Sequence, residues 1–171
     1  LVIKAPSESD VSEALLNPYR RISFGISISH MYKAGQKSRI PSQLADVPIP
    51  AVVSFLTEGV LQLGGARVHG ICRVPGLDDE VVRLMARIDR GHYTLDGITD
   101  AATVSSLLSR WLTQLPESIF PEYLYEQCIL APEQIDPRAA IRAAIDALPL
   151  ENRAVLRAIV RLIRTLGQPQ N

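Results

Sequence analysis

The sequence predicts an all-α domain, a helical bundle that carries one arginine on an exposed loop. Three observations lead there. Apolar residues recur at helical spacing in several separate segments, most completely at Val104, Leu107, Leu108, Trp111, Leu112 and Leu115. Glycine pairs and prolines, at Gly64-Gly65, Pro116 and Pro149, punctuate the chain between such segments. The stretch Gly70-Ile71-Cys72-Arg73-Val74-Pro75-Gly76 sets a single arginine among small and apolar residues, with a glycine on each side to bend the backbone.

Taken in order, residues 1–20 read as a lead-in, either a linker or an accessory helix. Pro6, Ser7, Ser9 and Asp10 predict a loop capping a short helix through Val11, Ala14 and Leu15. Ile22, Phe24, Ile26 and Ile28 then alternate with the period of a strand, and Lys33 to Ser42, polar with Gly35 and Pro41, reads as an exposed loop. From Pro50, Val52, Phe55, Leu56 and Leu63 mark a helix that Gly64-Gly65 ends. After the arginine loop, Asp78, Asp79 and Glu80 supply N-cap candidates and negative charge for a helix bearing Val81, Leu84, Met85 and Ile88.

Gly91 to Asp100 is a polar connection into the segment from Val104 to Leu115, whose apolar stripe is core and whose Trp111 is a packing anchor. Opposite the stripe, Ser106, Ser109, Arg110, Thr113 and Gln114 form a polar face left for solvent or a partner. Pro116 stops the helix, and Pro121 turns the chain toward Tyr123 and Leu124. Ile141, Ala144, Ile145 and Leu148 predict one further helix, and beyond Pro149 the stripe Leu156, Ile159, Val160 and Ile163 predicts the last. The arginines at 153, 157, 161 and 164 lie on a solvated face of that helix, since no aromatic residues interleave with them.

Bulk properties narrow the function classes. At 171 residues the chain is one domain with room for a proper core. Lys plus Arg and Asp plus Glu both number 18, so no net field points to nucleic acid and no basic run points to a membrane surface. Cys72 and Cys128 lack metal-ligand spacing and are too few for a disulfide framework, which favours free thiols in a reducing cytoplasmic setting. No apolar run reaches transmembrane length and no signal peptide is visible, so any membrane recruitment falls to regions outside this chain. His30, His69 and His92 have no partner pattern, and no metal is assigned. Nor is there a nucleophile with a partnered histidine, a purposeful carboxylate pair or a phosphate-binding G-x-x-x-x-G-K-(S/T) loop. The chain has no free-standing active site.

A set of short motifs gives that absence a meaning. Their order is Phe24-Gly25, Val47-Pro48-Ile49-Pro50, Gly70-Ile71-Cys72-Arg73, Glu80-Val81, Val104 to Leu115 with Pro116-Glu117 and Pro121, and Leu148-Pro149-Leu150-Glu151-Asn152-Arg153. Over residues 22–171 this resembles the GTPase-activating domain for Rho-family GTPases, the RhoGAP domain. Each motif is weak alone; together, in this order and spacing, they are specific. The resemblance implies extended chain and loop rather than a sheet ahead of the Pro50 helix. It implies a domain over 21–171, cut short at its C-terminal end, because the family's N-x-x-x-N-L-A motif would follow Asn171. It implies a partner, a Rho-, Rac- or Cdc42-type small GTPase in its GTP-bound state. The GTP and magnesium belong to that partner, so no cofactor is this chain's own. Arg73 would be the catalytic residue, entering in trans to neutralise charge on the β–γ bridging and γ oxygens. Gly70 and Gly76 would set the loop geometry, and Ser109, Arg110 and Thr113 would face the GTPase.

Two departures from the family pattern leave an alternative open. The lysine of L-L-K is Ser109 here and the arginine of L-R-E-L-P is Thr113, so two charge-assisted contacts, each worth about 1–3 kcal/mol, are replaced by small hydroxyls. Cys72 also replaces the usual aromatic before the arginine. The readings are therefore a GTPase-activating protein, or a catalytically weak or inactive GTPase-binding and scaffolding module.

Overall fold

The computed structural model describes residues 23–38 and 48–168. The lead-in helix expected near Val11, and part of the loop from Lys33 to Ser42, lie outside them. Among the described residues the chain forms seven α-helices: α1 (Ile28–Lys33), α2 (Ala51–Gln62), α3 (Asp78–Asp89), α4 (Ala101–Thr113), α5 (Tyr125–Leu130), α6 (Pro137–Asp146) and α7 (Leu150–Leu166). The fold is all-α, as expected. Where no sheet was expected there is one two-residue antiparallel ladder, β1 (Lys37–Ser38) with β2 (Ile49–Pro50), pairing Lys37 with Pro50 and Ser38 with Ile49. The strand-like alternation at Ile22 to Ile28 forms no strand over its described part: Ile28 opens α1, with Ser27 Oγ capping His30 N–H at 3.3 Å.

The core is α4 surrounded by α2, α3 and the Phe24 segment. Val104, Leu107 and Trp111 of α4 are fully buried, as are Val52, Val53, Leu56 and Val60 of α2 and Leu84 and Ile88 of α3. Gly59 sits mid-helix in α2, where glycine costs roughly 1 kcal/mol of helix propensity. Its reason is close packing, since a Cβ there would come 3.2 Å from Val104 Cγ1 and 3.4 Å from Leu95 Cδ2. Trp111 is a packing anchor with a polar handle: Nε1 donates to the Ser23 carbonyl at 2.9 Å. Asp89 Oδ1 accepts from Ser23 N–H at 3.0 Å, and Ser23 Oγ meets the Tyr93 hydroxyl at 3.2 Å, so the chain entering the bundle is gripped by α3, α4 and the loop between them. Tyr93 also stands edge-on to Phe55, with ring centroids 5.6 Å apart. Leu124, Ala131, Ala144 and Leu148, on or beside α5 and α6, are buried too but lie outside this core.

Three local expectations change. α3 starts at Asp78 with Leu77 at the N-cap, so Asp78, Asp79 and Glu80 fill the first turn and serve the helix dipole rather than the cap. α4 ends at Thr113, two residues before Leu115, because the residue preceding Pro116 is steered away from helical geometry. In α7 the buried face is Ala154, Val155, Ala158 and Leu162, while Val160 and Ile163 are 44% and 56% exposed. This helix is apolar on two sides. The side with small alanines is the one that faces α2 and α1, because it allows close approach.

Two predictions follow from this core. Trp111→Phe keeps most of the packing but strands the buried Ser23 carbonyl, and should cost about 1–3 kcal/mol in urea unfolding followed by circular dichroism. The Tyr93 hydroxyl is raised above its ordinary value of 10 by burial and, to a lesser degree, by the Asp89 charge, against a lowering hydrogen bond from Ser23. A proton held more tightly in the folded state stabilises fully below that ordinary value, and the contribution is lost as pH rises above it. Tyr93→Phe should therefore lose less stability than the wild type when unfolding is measured above pH 10.

Candidate functional site

The chain from α2 to α3 turns sharply within a short space. Gly64, at φ +75°, ends α2, and Gly65 lies so close to the Val60 carbonyl that a Cβ would meet its oxygen at 2.7 Å. The arginine loop then folds back on itself: Arg73 N–H donates to the Gly70 carbonyl at 2.7 Å and Val74 N–H donates to the same oxygen at 3.0 Å. Ile71, 7% exposed, plugs this turn into the core. The side chain of Arg73 is left exposed, and no carboxylate pairs with it among the described residues.

The two glycines of the loop serve different ends. Gly70 has φ +70° and supplies a bend that a side chain would strain. Gly76 has an ordinary φ and is glycine for want of space, because a Cβ would lie 2.3 Å from Thr103 Cα and 2.6 Å from Thr103 N. The loop is thus pressed against the backbone of α4. Gly76 N–H donates to Ser106 Oγ at 2.8 Å, and Thr103 Oγ1 donates to Glu80 Oε2 at 3.3 Å, tying the start of α3 to the same turn.

Ser106 is therefore not on a free polar face, as its position opposite the stripe implied. With about 100° per residue, Thr103, Ser106, Ser109, Arg110 and Thr113 fall within about 120° of arc. One face of α4 accordingly runs from the arginine loop to Ser109, Arg110 and Thr113, with Thr113 roughly 10 Å beyond Ser106. The structure brings the expected residues onto one surface. Ser109 and Thr113 are exposed and Arg110 is half-buried. Thr113 Oγ1 donates to the Arg110 carbonyl at 3.0 Å, so its hydroxyl proton is engaged by its own helix. Gln114, also expected on the polar face, has Oε1 buried without a hydrogen-bond partner among the described residues.

Apolar surface lies near the arginine. Val74, Leu77 and Val82, on the loop and the start of α3, are 45%, 63% and 48% exposed. Beyond the far end of α4 an open cleft is lined by Glu117, Phe120, Glu122, Tyr123, Pro149 and Glu151 among others, with no lysine or arginine in its described wall. Asn152 of the L-P-x-x-N motif has a structural task there, as its Nδ2 donates to the Ile119 carbonyl at 2.9 Å. Both cysteines are free thiols, Cys72 exposed beside Arg73 and Cys128 half-buried on α5. No helix among the described residues is long and apolar enough to cross a membrane.

Residues 50–171 match the RhoGAP domain. This chain belongs to the RhoGAP domain family. It is 32% identical over 136 residues to GTPase activating protein homolog 3 of Dictyostelium discoideum, a match covering 80% of this chain and 10% of that protein. It is 31% identical over 149 residues to the Rho GTPase-activating protein conundrum of Drosophila melanogaster, covering 80% and 23%. With human Rho GTPase-activating protein 25 it shares 30% identity over 124 residues, covering 69% and 19%. This RhoGAP domain thus spans a quarter or less of these relatives. The crystal structure of human Rho GTPase activating protein 15 superposes with a TM-score of 0.73 at 22% identity, over 94% of this chain and 73% of that one, which establishes a shared fold. The family read from the motifs is the family found.

Gly76 offers a direct test of how tightly the loop is seated. Gly76→Ala forces backbone apart from backbone and should destabilise by about 1–3 kcal/mol, the range for overpacking, with faster amide exchange through residues 70–76. Ser109→Ala, on the open part of the same helix face, should change stability by less than about 0.5 kcal/mol.

Proposed function

We propose that this RhoGAP domain accelerates GTP hydrolysis by a Rho-type small GTPase in its GTP-bound state, supplying Arg73 in trans. The observation that carries the reading is the exposed guanidinium, unpaired among the described residues, on a loop that is self-bonded at one end and pressed onto α4 at the other. A group that must reach another protein's active site gains from being ordered beforehand, since no free energy is then spent ordering it at docking. The GTPase supplies the nucleotide, the magnesium and the attacking water. This chain supplies a planar, permanently charged fork of donors aimed at the oxygens where charge develops. An arginine delivered this way is worth about 10³ to 10⁵ in rate, or roughly 4–7 kcal/mol of barrier. Val74, Leu77 and Val82 would close around it and exclude water, which strengthens its electrostatic effect. The α4 face at Ser109, Arg110 and Thr113 would lie against the same partner. Free thiols at Cys72 and Cys128 fit a reducing cytoplasm.

A second reading is favoured by Ser109 and Thr113, which bring no charge to that face, Thr113 being bonded to its own helix. On this reading the domain binds a GTPase without activating it.

Single-turnover GTP hydrolysis by Rho, Rac and Cdc42-type GTPases, with wild type, Arg73→Ala and Arg73→Lys, separates the two. Acceleration of at least one member that falls by about a hundredfold or more in both variants is the expected result. Acceleration that survives Arg73→Ala would sink the arginine mechanism. Binding of a GTP-loaded member without acceleration would establish the scaffolding module.

A further inference from the structure

We infer that Ser106 is a positioning residue for Arg73, holding the arginine loop at its working height above α4 through the Gly76 N–H. The inference rests on the role proposed for Arg73, and its evidence is the seating of the loop.

The loop is braced unequally at its two ends. At the start, Arg73 and Val74 N–H groups close onto the Gly70 carbonyl and Ile71 is buried, so that turn holds itself together. At the end, Pro75 has no N–H to give. The Gly76 N–H leaves the loop for Ser106 Oγ, 30 residues further along the chain, at 2.8 Å. Sterics provide the opposite limit. With Gly76 against the Thr103 backbone, the loop cannot sink, and with its N–H on Ser106 it cannot lift. Glu80 and Thr103 fix the start of α3 to the same turn, so the loop's exit is also tied to α4.

Helix formation does not explain a serine at this position. Alanine has the higher helix propensity, fits wherever serine fits, and would close-pack against Gly76 as well. What serine adds is an acceptor one turn beyond the Thr103 contact, at the point where the loop passes. Removing it leaves the fold's apolar contacts untouched and releases one tether, three residues from Arg73. A shift on the order of 1 Å at a reacting group can cost about a hundredfold in rate. Partial loosening should therefore appear in the chemical step rather than in docking.

The test compares Ser106→Ala and Ser106→Thr with wild type in three measurements: acceleration of single-turnover hydrolysis at saturating domain, affinity for a GTPase loaded with a non-hydrolysable GTP analogue, and amide exchange of the free domain. Ser106→Ala should lower the saturating acceleration about tenfold, with affinity changed less than about twofold and the melting temperature nearly unchanged. Ser106→Thr, which keeps the oxygen, should restore most of the rate. In the free domain, Ser106→Ala should speed exchange at Gly76, Arg73 and Val74 while leaving the α4 amides as they were. Full acceleration in Ser106→Ala overturns the inference, as does a parallel loss of affinity, rate and stability, or unchanged exchange at Gly76. If no GTPase responds to the wild type, the proposed activity fails, and the exchange data still decide whether Ser106 positions the loop.

Discussion

The seating of the arginine loop depends on one close approach, the backbone of Gly76 against the backbone of Thr103. Two main chains come that near because Gly76 carries no side chain, and the small residues around Thr103 leave room for it. Its first turns are Ala101, Ala102, Thr103, Ser105 and Ser106, with Val104 the one larger side chain. Its later turns carry Leu107, Leu108 and Trp111, all buried. One helix is therefore thin where the arginine loop must seat and thick where the bundle must be filled. Through Trp111 and Ser23 it grips the entering chain, and through Val104 it packs against Gly59 of α2. The loop's position and the core's integrity are set by the same element.

How much of this was legible depended on whether a segment had one apolar face or two. α3 and α4 each have one, so their large buried residues could be read from spacing, whereas α2 is buried without a break from Ala51 to Thr57, and spacing picked out Val52, Phe55 and Leu56 but not the equally buried Val53 and Val60. α7 has two, and hydropathy favoured Leu156, Ile159, Val160 and Ile163 over the alanine-lined face that is buried. Alanine is the residue that misleads here, since it reads as weakly apolar yet marks the surface that a neighbouring helix can approach most closely. The short β1–β2 ladder was hidden for a different reason. Two residues on each side give no period to detect, and the pairing spans residues 39–48, so no local turn signal announces it.

The arginine loop itself was legible because its glycines and proline are strong local signals. The reason for each glycine was not. Gly70 and Gly76 look alike in sequence, but one answers to φ and the other to a neighbour 27 residues away. Ser106 was placed on a free polar face for the same reason: a hydrogen bond across 30 residues leaves no trace in periodicity. Contacts of long sequence separation are where pattern reading fails, and the tethering of this loop is made of them.

The α4 face divides its labour accordingly. Near the loop its polar atoms are committed within the protein, Thr103 to Glu80 and Ser106 to Gly76. Farther along, Ser109 is exposed and Arg110 half-buried, while Thr113 spends its proton on the helix. A surface with one cation in place of the family's two has less to offer a negatively charged partner in steering or in affinity, since each exposed charged contact contributes modestly once screened. The arginine at the loop tip loses nothing by that change, because its order derives from Gly70, Ile71 and Gly76 and not from the docking face. On the proposed reading, weak docking and a braced arginine loop are therefore compatible in one molecule. That independence is why retention of Arg73 in its braced loop weighs more for catalysis than the loss of two surface charges weighs against it.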